Sequence, residues 1–126
     1  MKIKMTSILV PDPIKAFKYY TEVLGFQELM YMPEHKLAIV VSPEDPNGTS
    51  LLLEPQGDGF AKEYKEIIRE KKLPYLVLDA PDVQAKYEEF LTKGVEFLAP
   101  PKTDDWGTAA IFDDQQGNYL QIHQDK

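Results

Sequence analysis

The chain has 126 residues, of which 43% are hydrophobic and 28% are charged, and it contains no cysteine. This length suits a single domain with its own core, and the composition is that of a globular protein, not a disordered one. The lack of cysteine excludes disulfides, thiolate metal sites and a thiol nucleophile. The formal charge of -7, without any cluster of Lys and Arg, argues against nucleic acid as a partner.

Hydrophobic runs along the chain are short. None is long enough to cross a bilayer, and the amino-terminal residues 1–7 contain too short an apolar run for a signal peptide. We therefore expect a cytoplasmic protein with no membrane partner. The acidic balance favours solubility, and its alternative meaning is a site that attracts cations.

The first half of the sequence predicts the order β-α-β-β-β. Alternation over Ile3–Val10 predicts a strand. Asp12 is suited to cap the next helix, Pro13 to open it and Gly25 to end it. The helix should bury one stripe, formed by Ile14, Phe17, Tyr20 and Leu24. Three more strands are predicted at Phe26–Tyr31, Leu37–Val41 and Ser50–Glu54.

The second half predicts the same order after a connecting helix. Asp58–Lys72 is amphipathic, with an apolar stripe formed by Phe60, Tyr64, Ile67 and Ile68. A strand at Leu73–Leu78 precedes a helix capped by Asp82 and ended by Gly94. That helix should face inward with Tyr87, Phe90 and Leu91. The last three strands are predicted at Val95–Leu98, Thr108–Phe112 and Tyr119–His123.

Matching turn and cap residues recur in the two halves. The capping residues Asp12 and Asp82 are 70 residues apart, and the helix-ending Gly25 and Gly94 are 69 apart. Gly48 and Gly117, each just before a final strand, are also 69 apart. Cap, stop and turn therefore agree at almost one offset, which favours a duplicated βαβββ module.

Two motifs resemble those of the vicinal-oxygen-chelate superfamily, which includes glyoxalases, bleomycin-resistance proteins and dioxygenases. They are Phe17-Lys-Tyr-Tyr-Thr-Glu-Val-Leu-Gly-Phe26, after the Asp-Pro cap, and Phe112-Asp-Asp-Gln-Gln-Gly-Asn-Tyr-Leu-Gln-Ile122. The resemblance implies an α+β fold of two βαβββ modules whose curved mixed sheets enclose a cleft, often in a homodimer. It implies one domain over 1–126, with modules at 1–57 and 74–126 joined by a helix at 58–73.

The resemblance also implies where a metal would bind in this family. Its ligands are His or Gln seven residues before the capping Asp, and Glu four residues after the final-turn Gly. Here those positions hold Met5, Tyr75, Leu52 and Gln121, none of which is His, Asp or Glu. Such a set suits a divalent cation poorly. We therefore expect neither the usual family metal nor another cofactor.

An alternative site lies two residues further along the strands. Glu54 and His123 share strand faces with Leu52 and Gln121, because alternate residues point the same way. Glu54, Gln121 and His123 could then hold a divalent metal, with Glu54 and His123 as catalytic residues of a glyoxalase-type lyase or isomerase, or of a dioxygenase. The competing interpretation is that Glu54 and His123 are simply solvated strand ends.

The residues that should line the cleft are mostly apolar or aromatic. The expected ligand-binding set is Met5, Ser7, Leu52, Tyr75, Val77, Trp106, Tyr119 and Gln121. Trp106 stands where a loop meets a strand, so it either closes over the ligand or fills a core. The set predicts a metal-independent protein that binds a small organic ligand. The acidic balance favours a cationic aromatic compound.

Overall fold

The computed structural model describes residues 1–126, which form eight strands and three α-helices. In chain order these are β1 Met5–Val10, α1 Pro13–Glu22, β2 Gln27–Met32, β3 Leu37–Val41, β4 Ser50–Pro55, α2 Phe60–Glu70, β5 Leu76–Asp79, α3 Val83–Thr92, β6 Lys102–Asp104, β7 Gly107–Asp113 and β8 Tyr119–Asp125. The chain forms two compact units, Met1–Lys65 and Glu66–Lys126. None of the helices combines the length and the apolar composition that a membrane span requires.

The two units contain sheets of the same topology. The strand order is β1-β4-β3-β2 in the first unit and β5-β8-β7-β6 in the second. In the first sheet β1 runs parallel to β4, and in the second β5 runs parallel to β8. The other neighbouring strands are antiparallel. The expected α+β fold with two mixed sheets is confirmed, and so is the duplicated βαβββ order.

The helix caps follow the sequence motifs. The Asp12 carboxylate accepts a hydrogen bond from the Ile14 N–H at 2.9 Å, and the Asp82 carboxylate accepts one from the Ala85 N–H at 3.0 Å. Both satisfy amide groups that a helix start leaves without a partner. After each helix the chain turns at a glycine with positive φ, Gly25 at 87° and Gly94 at 81°. Only glycine adopts such angles without steric cost.

Each sheet packs one face against its own helix. In the first unit α1 covers β3 and β4, and the buried side chains beneath it are Ile8, Val10, Ala38, Val40, Leu51 and Leu53. In the second unit α3 packs on β7 and β8 over Ala110, Phe112, Leu120 and Ile122. Alternate residues on the same strands therefore point to the opposite face. We call it the helix-free face, because neither α1 nor α3 packs on it.

One residue of each expected helix face is exposed. On α1, Tyr20 and the following Leu24 are buried as expected, whereas Ile14 is exposed. On α3, Phe90 is buried as expected but Leu91 is exposed. In both helices the first helical residue, Pro13 or Val83, is buried instead.

The prediction of a strand at Val95–Leu98 was wrong. This segment makes a single bridge, between Phe97 and Phe112, and the sheet's edge strand is Lys102–Asp104 instead. The Leu98 N–H donates to the Ile111 carbonyl at 2.9 Å. Residue 100, the next amide in such a ladder, is proline and has no N–H to donate. The pairing with β7 therefore stops there and resumes after the prolines.

Other boundaries also differ. β1 starts at Met5, and β5 starts at Leu76 just after Pro74. The connecting helix α2 is shorter than expected at both ends. Its apolar residues Phe60, Tyr64 and Ile67 are exposed.

Candidate functional site

The helix-free face of the first sheet carries three residues of the expected ligand-binding set. Ser7 pairs with Leu52 across β1 and β4, so their side chains share this face, and Met5 lies two residues earlier on β1. Leu52 also pairs with Ile39 of β3, which pairs in turn with Met30 of β2. Met5 is 48% exposed. The face therefore presents flexible, polarisable methionine and aliphatic side chains to its surroundings.

The helix-free face of the second sheet carries four more residues of the expected ligand-binding set. Val77 pairs with Gln121 across β5 and β8, and Tyr119 lies two residues before Gln121 on the same strand. The Tyr75 N–H donates to the Tyr119 carbonyl at 2.7 Å, which aligns Tyr75 with Tyr119. Val77 is 59% exposed. This face thus combines two phenol rings, an amide and an open apolar position.

Arg69, near the end of α2, also reaches the second face. Its guanidinium lies over the Tyr119 ring, 4.5 Å from the ring centroid. Its Nη2 donates to Asp113 Oδ2 at 2.8 Å. Asp113 pairs with Tyr119 across β7 and β8, so ring and carboxylate are neighbours on one face. Neither Arg69 nor Asp113 belongs to the set that the sequence predicted.

Trp106 occupies the turn between β6 and β7, where its backbone N–H donates to the Asp104 carboxylate at 2.8 Å. The ring is exposed. It therefore does not fill the core of its unit, which was one of the two roles considered for it.

A model of the Glyoxalase/Bleomycin resistance protein/Dioxygenase superfamily matches residues 2–122. The chain belongs to this superfamily. The match includes strands of both sheets and agrees with the motifs at the two ends of the sequence. The resemblance inferred from those motifs is thereby confirmed.

Several proteins are similar to this one over nearly the whole chain. The uncharacterised protein YurT of Bacillus subtilis is 42% identical, with 98% of this chain and 99% of YurT covered. The crystal structure of UcmS2 has a TM-score of 0.81 at 25% identity, covering 98% of this chain and 97% of UcmS2. TnmS3, an antibiotic binding protein from Streptomyces sp. CB03234, has a TM-score of 0.76 at 27% identity, covering 100% and 97%.

The superfamily's usual metal positions do not fit a divalent metal in this member. Met5, Leu52, Tyr75 and Gln121 lie on the helix-free faces, as strand alternation predicts. They offer a thioether, an aliphatic group, a phenol and an amide. Hard and borderline divalent ions prefer carboxylate and imidazole, and leucine has no donor atom.

The alternative metal set is split between the two units. Glu54 stands opposite Leu9 in the first unit, whereas Gln121 and His123 lie on β8 of the second. His123 stands opposite Asp79, and its Nε2 is 3.2 Å from Asp125 Oδ1. Neither unit brings three His, Asp or Glu side chains together in a group that could hold a metal ion.

Sequence reasoning missed Arg69 and Asp113 because their contact joins distant parts of the chain. One signal was available: Asp113 alternates with Ile111 on the face opposite to Phe112. That alternation could have placed a carboxylate beside Tyr119 on the helix-free face, but it was not used. The position of Arg69 over Tyr119 depends on how α2 packs, and no local motif indicates it.

Proposed function

We propose that this protein binds a small organic ligand on the helix-free faces of its sheets, without the metal of its enzymatic relatives. The proposal covers the expected ligand-binding residues Met5, Ser7, Leu52, Tyr75, Val77, Tyr119 and Gln121. We also propose that Trp106, in the exposed turn between β6 and β7, contacts the ligand. We place the protein in the cytoplasm, as the sequence suggests.

The chemistry of the four usual metal positions is the observation that carries this proposal. A thioether, an aliphatic chain, a phenol and an amide form a poor metal site but a good surface for an organic molecule. The polar groups among them supply orientation, and the apolar groups supply contact area. The similarity to an antibiotic binding protein supports the same conclusion.

Exposure of apolar side chains on these faces is a second support. Met5, Met30 and Val77 are exposed although they lie on strands of the sheets. When a ligand covers apolar groups that were in contact with water, the free energy of the complex falls by about 25 cal/mol for each Å² buried. A molecule with an apolar aromatic surface is therefore expected to bind here.

Binding of the neutral fluorescent dye N-phenyl-1-naphthylamine tests the proposal. We expect saturable binding whose Kd is the same in excess EDTA and in excess Zn²⁺. Val77→Lys and Leu52→Lys should each weaken binding by about fivefold or more, because a charge on the face must be desolvated when the dye binds. Leu91→Lys, an exposed leucine on α3, is the matched control and should leave the Kd unchanged.

Metal analysis of protein purified without chelator supplies the opposing outcome. A divalent ion bound in stoichiometric amount, and lost in Glu54→Ala or His123→Ala, would overturn the metal-free proposal in favour of the lyase, isomerase or dioxygenase alternative. Dye binding that is equal in Val77→Lys, Leu52→Lys and Leu91→Lys would overturn the location of the ligand.

We also propose that the protein is a homodimer. Phe60, Tyr64 and Ile67 form one stripe along α2, and Phe60 is 87% exposed. Sedimentation equilibrium at micromolar concentration should give twice the 14.4 kDa of one chain. Tyr64→Glu should shift the mass to that of a monomer, whereas Lys62→Glu, off the stripe, should not. A mass of one chain for the unaltered protein would refute the dimer.

A further inference from the structure

Asp113 and Tyr119 together form a binding arrangement for a planar cation, and the Arg69 guanidinium occupies it. The guanidinium lies 4.5 Å from the Tyr119 ring centroid, within the range of cation–π attraction. It also donates a charge-assisted hydrogen bond of 2.8 Å to Asp113. An aromatic face and a carboxylate are the two groups that recognise a planar organic cation in water.

The carboxylate is fixed in place independently of Arg69. Asp113 Oδ1 accepts a hydrogen bond from the Gln115 N–H at 2.7 Å, which leaves Oδ2 directed to the guanidinium. The pKa of Arg69 is raised, chiefly by its hydrogen bond to Asp113 and also by electrostatic interaction with Asp113, Tyr119 and Asp114, against the opposing effect of desolvation. The hydrogen bond from Gln115 would keep the carboxylate in its geometry if Arg69 left.

Arg69 itself fits the arrangement incompletely. Its Nη1 is shielded from solvent and has no hydrogen-bond partner. A buried donor without a partner weakens the contact that holds it. The Arg69 side chain is nevertheless 35% exposed, and that of Asp113 is 20% exposed. The guanidinium is thus near enough to solvent to swing out, where water would satisfy every N–H.

We propose that Asp113 and Tyr119 form a site for a planar organic cation, such as an aryl amidinium or guanidinium, which Arg69 occupies until a ligand displaces it. The proposal rests on the proposed ligand-binding function and deepens it by naming a ligand class and one subsite. Arg69 is then an internal competitor. Its removal should strengthen binding, whereas removal of an ordinary binding residue weakens it.

Titration calorimetry with benzamidinium and with neutral benzamide, which has nearly the same shape, tests the proposal. Arg69→Ala should bind benzamidinium about tenfold more tightly than the unaltered protein, because no ordered cation must first be displaced. Its affinity for benzamide should stay the same. Arg69→Gln should behave in the same way, which guards against a fold defect specific to the alanine variant.

Matched variants separate this effect from a general change of charge or space. Lys71→Ala removes a nearby exposed cation and should leave the benzamidinium affinity unchanged. In the Arg69→Ala background, Asp113→Asn keeps an acceptor for Gln115, yet it should abolish the gain, and so should Tyr119→Leu. Equal gains for benzamidinium and benzamide would overturn the proposal, as would no gain in either Arg69 variant.

The two proposals fail in different ways. If benzamidinium affinity does not respond to Arg69 but the neutral dye still binds at Val77 and Leu52, the planar-cation site is wrong and the ligand-binding function stands. If the dye does not bind these faces at all, the wider function is wrong.

Discussion

Replacing Phe112 with alanine is expected to lower the free energy of unfolding by about 3–5 kcal/mol. The ring is fully buried, and its centroid lies 5.4 Å from that of Phe90 and 5.5 Å from that of Phe97. Removing it leaves a cavity among rings that are fixed by α3 and by the segment before β6. Urea denaturation followed by far-ultraviolet circular dichroism measures the loss.

Leu91→Ala is the matched control in the same unit. Leu91 is exposed on α3, so its truncation should cost less than about 1 kcal/mol. A loss for Leu91 as large as that for Phe112 would show that α3 packs through the face that the sequence pattern first suggested. The pair of variants therefore tests whether Leu91 faces solvent as well as whether Phe112 fills the core.

Phe112 also links the core to the candidate site. Its neighbours Ile111 and Asp113 point to the helix-free face, where Asp113 holds Arg69. A strand that shifts to fill the cavity must move the carboxylate with it. Phe112→Ala is therefore expected to weaken the preference for benzamidinium over benzamide in the Arg69→Ala background.

Local sequence signals predicted the parts of the fold that depend on local chemistry. Asp12 and Asp82 cap their helices because a short carboxylate reaches the first free amides, wherever the helix later packs. Gly25 and Gly94 follow the helix ends because the chain takes a positive φ there, which glycine adopts readily. Such rules need no knowledge of distant residues, so one sequence is enough to apply them.

Strand faces were also predictable, whereas what covers them was not. A period of two residues fixes that Leu52 and Gln121 share faces with Ser7 and Val77 once the register is known. The position of Arg69 over Tyr119 depends instead on the hydrogen bond between Arg69 and Asp113, which are 44 residues apart in the sequence. The edge strand was misplaced for a different and local reason, since prolines 100 and 101 move the pairing beyond the apolar segment.

The turn between β7 and β8 should depend strongly on Asp114. This residue is fully buried, and its carboxyl oxygens accept hydrogen bonds from the Gln116 N–H at 2.7 Å, the Asn118 N–H at 2.9 Å and the Asn118 side-chain amide at 2.9 Å. Around it the chain takes positive φ at Gln115 and Gly117. The carboxyl group thus organises a turn that the backbone alone would not favour.

Asp114→Ala is expected to lower the free energy of unfolding by on the order of 3 kcal/mol, because it leaves several buried donors without an acceptor. Asp114→Asn keeps one oxygen and should lose less, and Asp105→Ala, in the exposed turn before β7, should lose almost nothing. Since Asp113 and Tyr119 flank this turn, Asp114→Ala should also weaken dye binding under conditions where the variant is still folded. Urea denaturation and dye titration measure the two effects, and an Asp114→Ala protein as stable as Asp105→Ala would contradict this role.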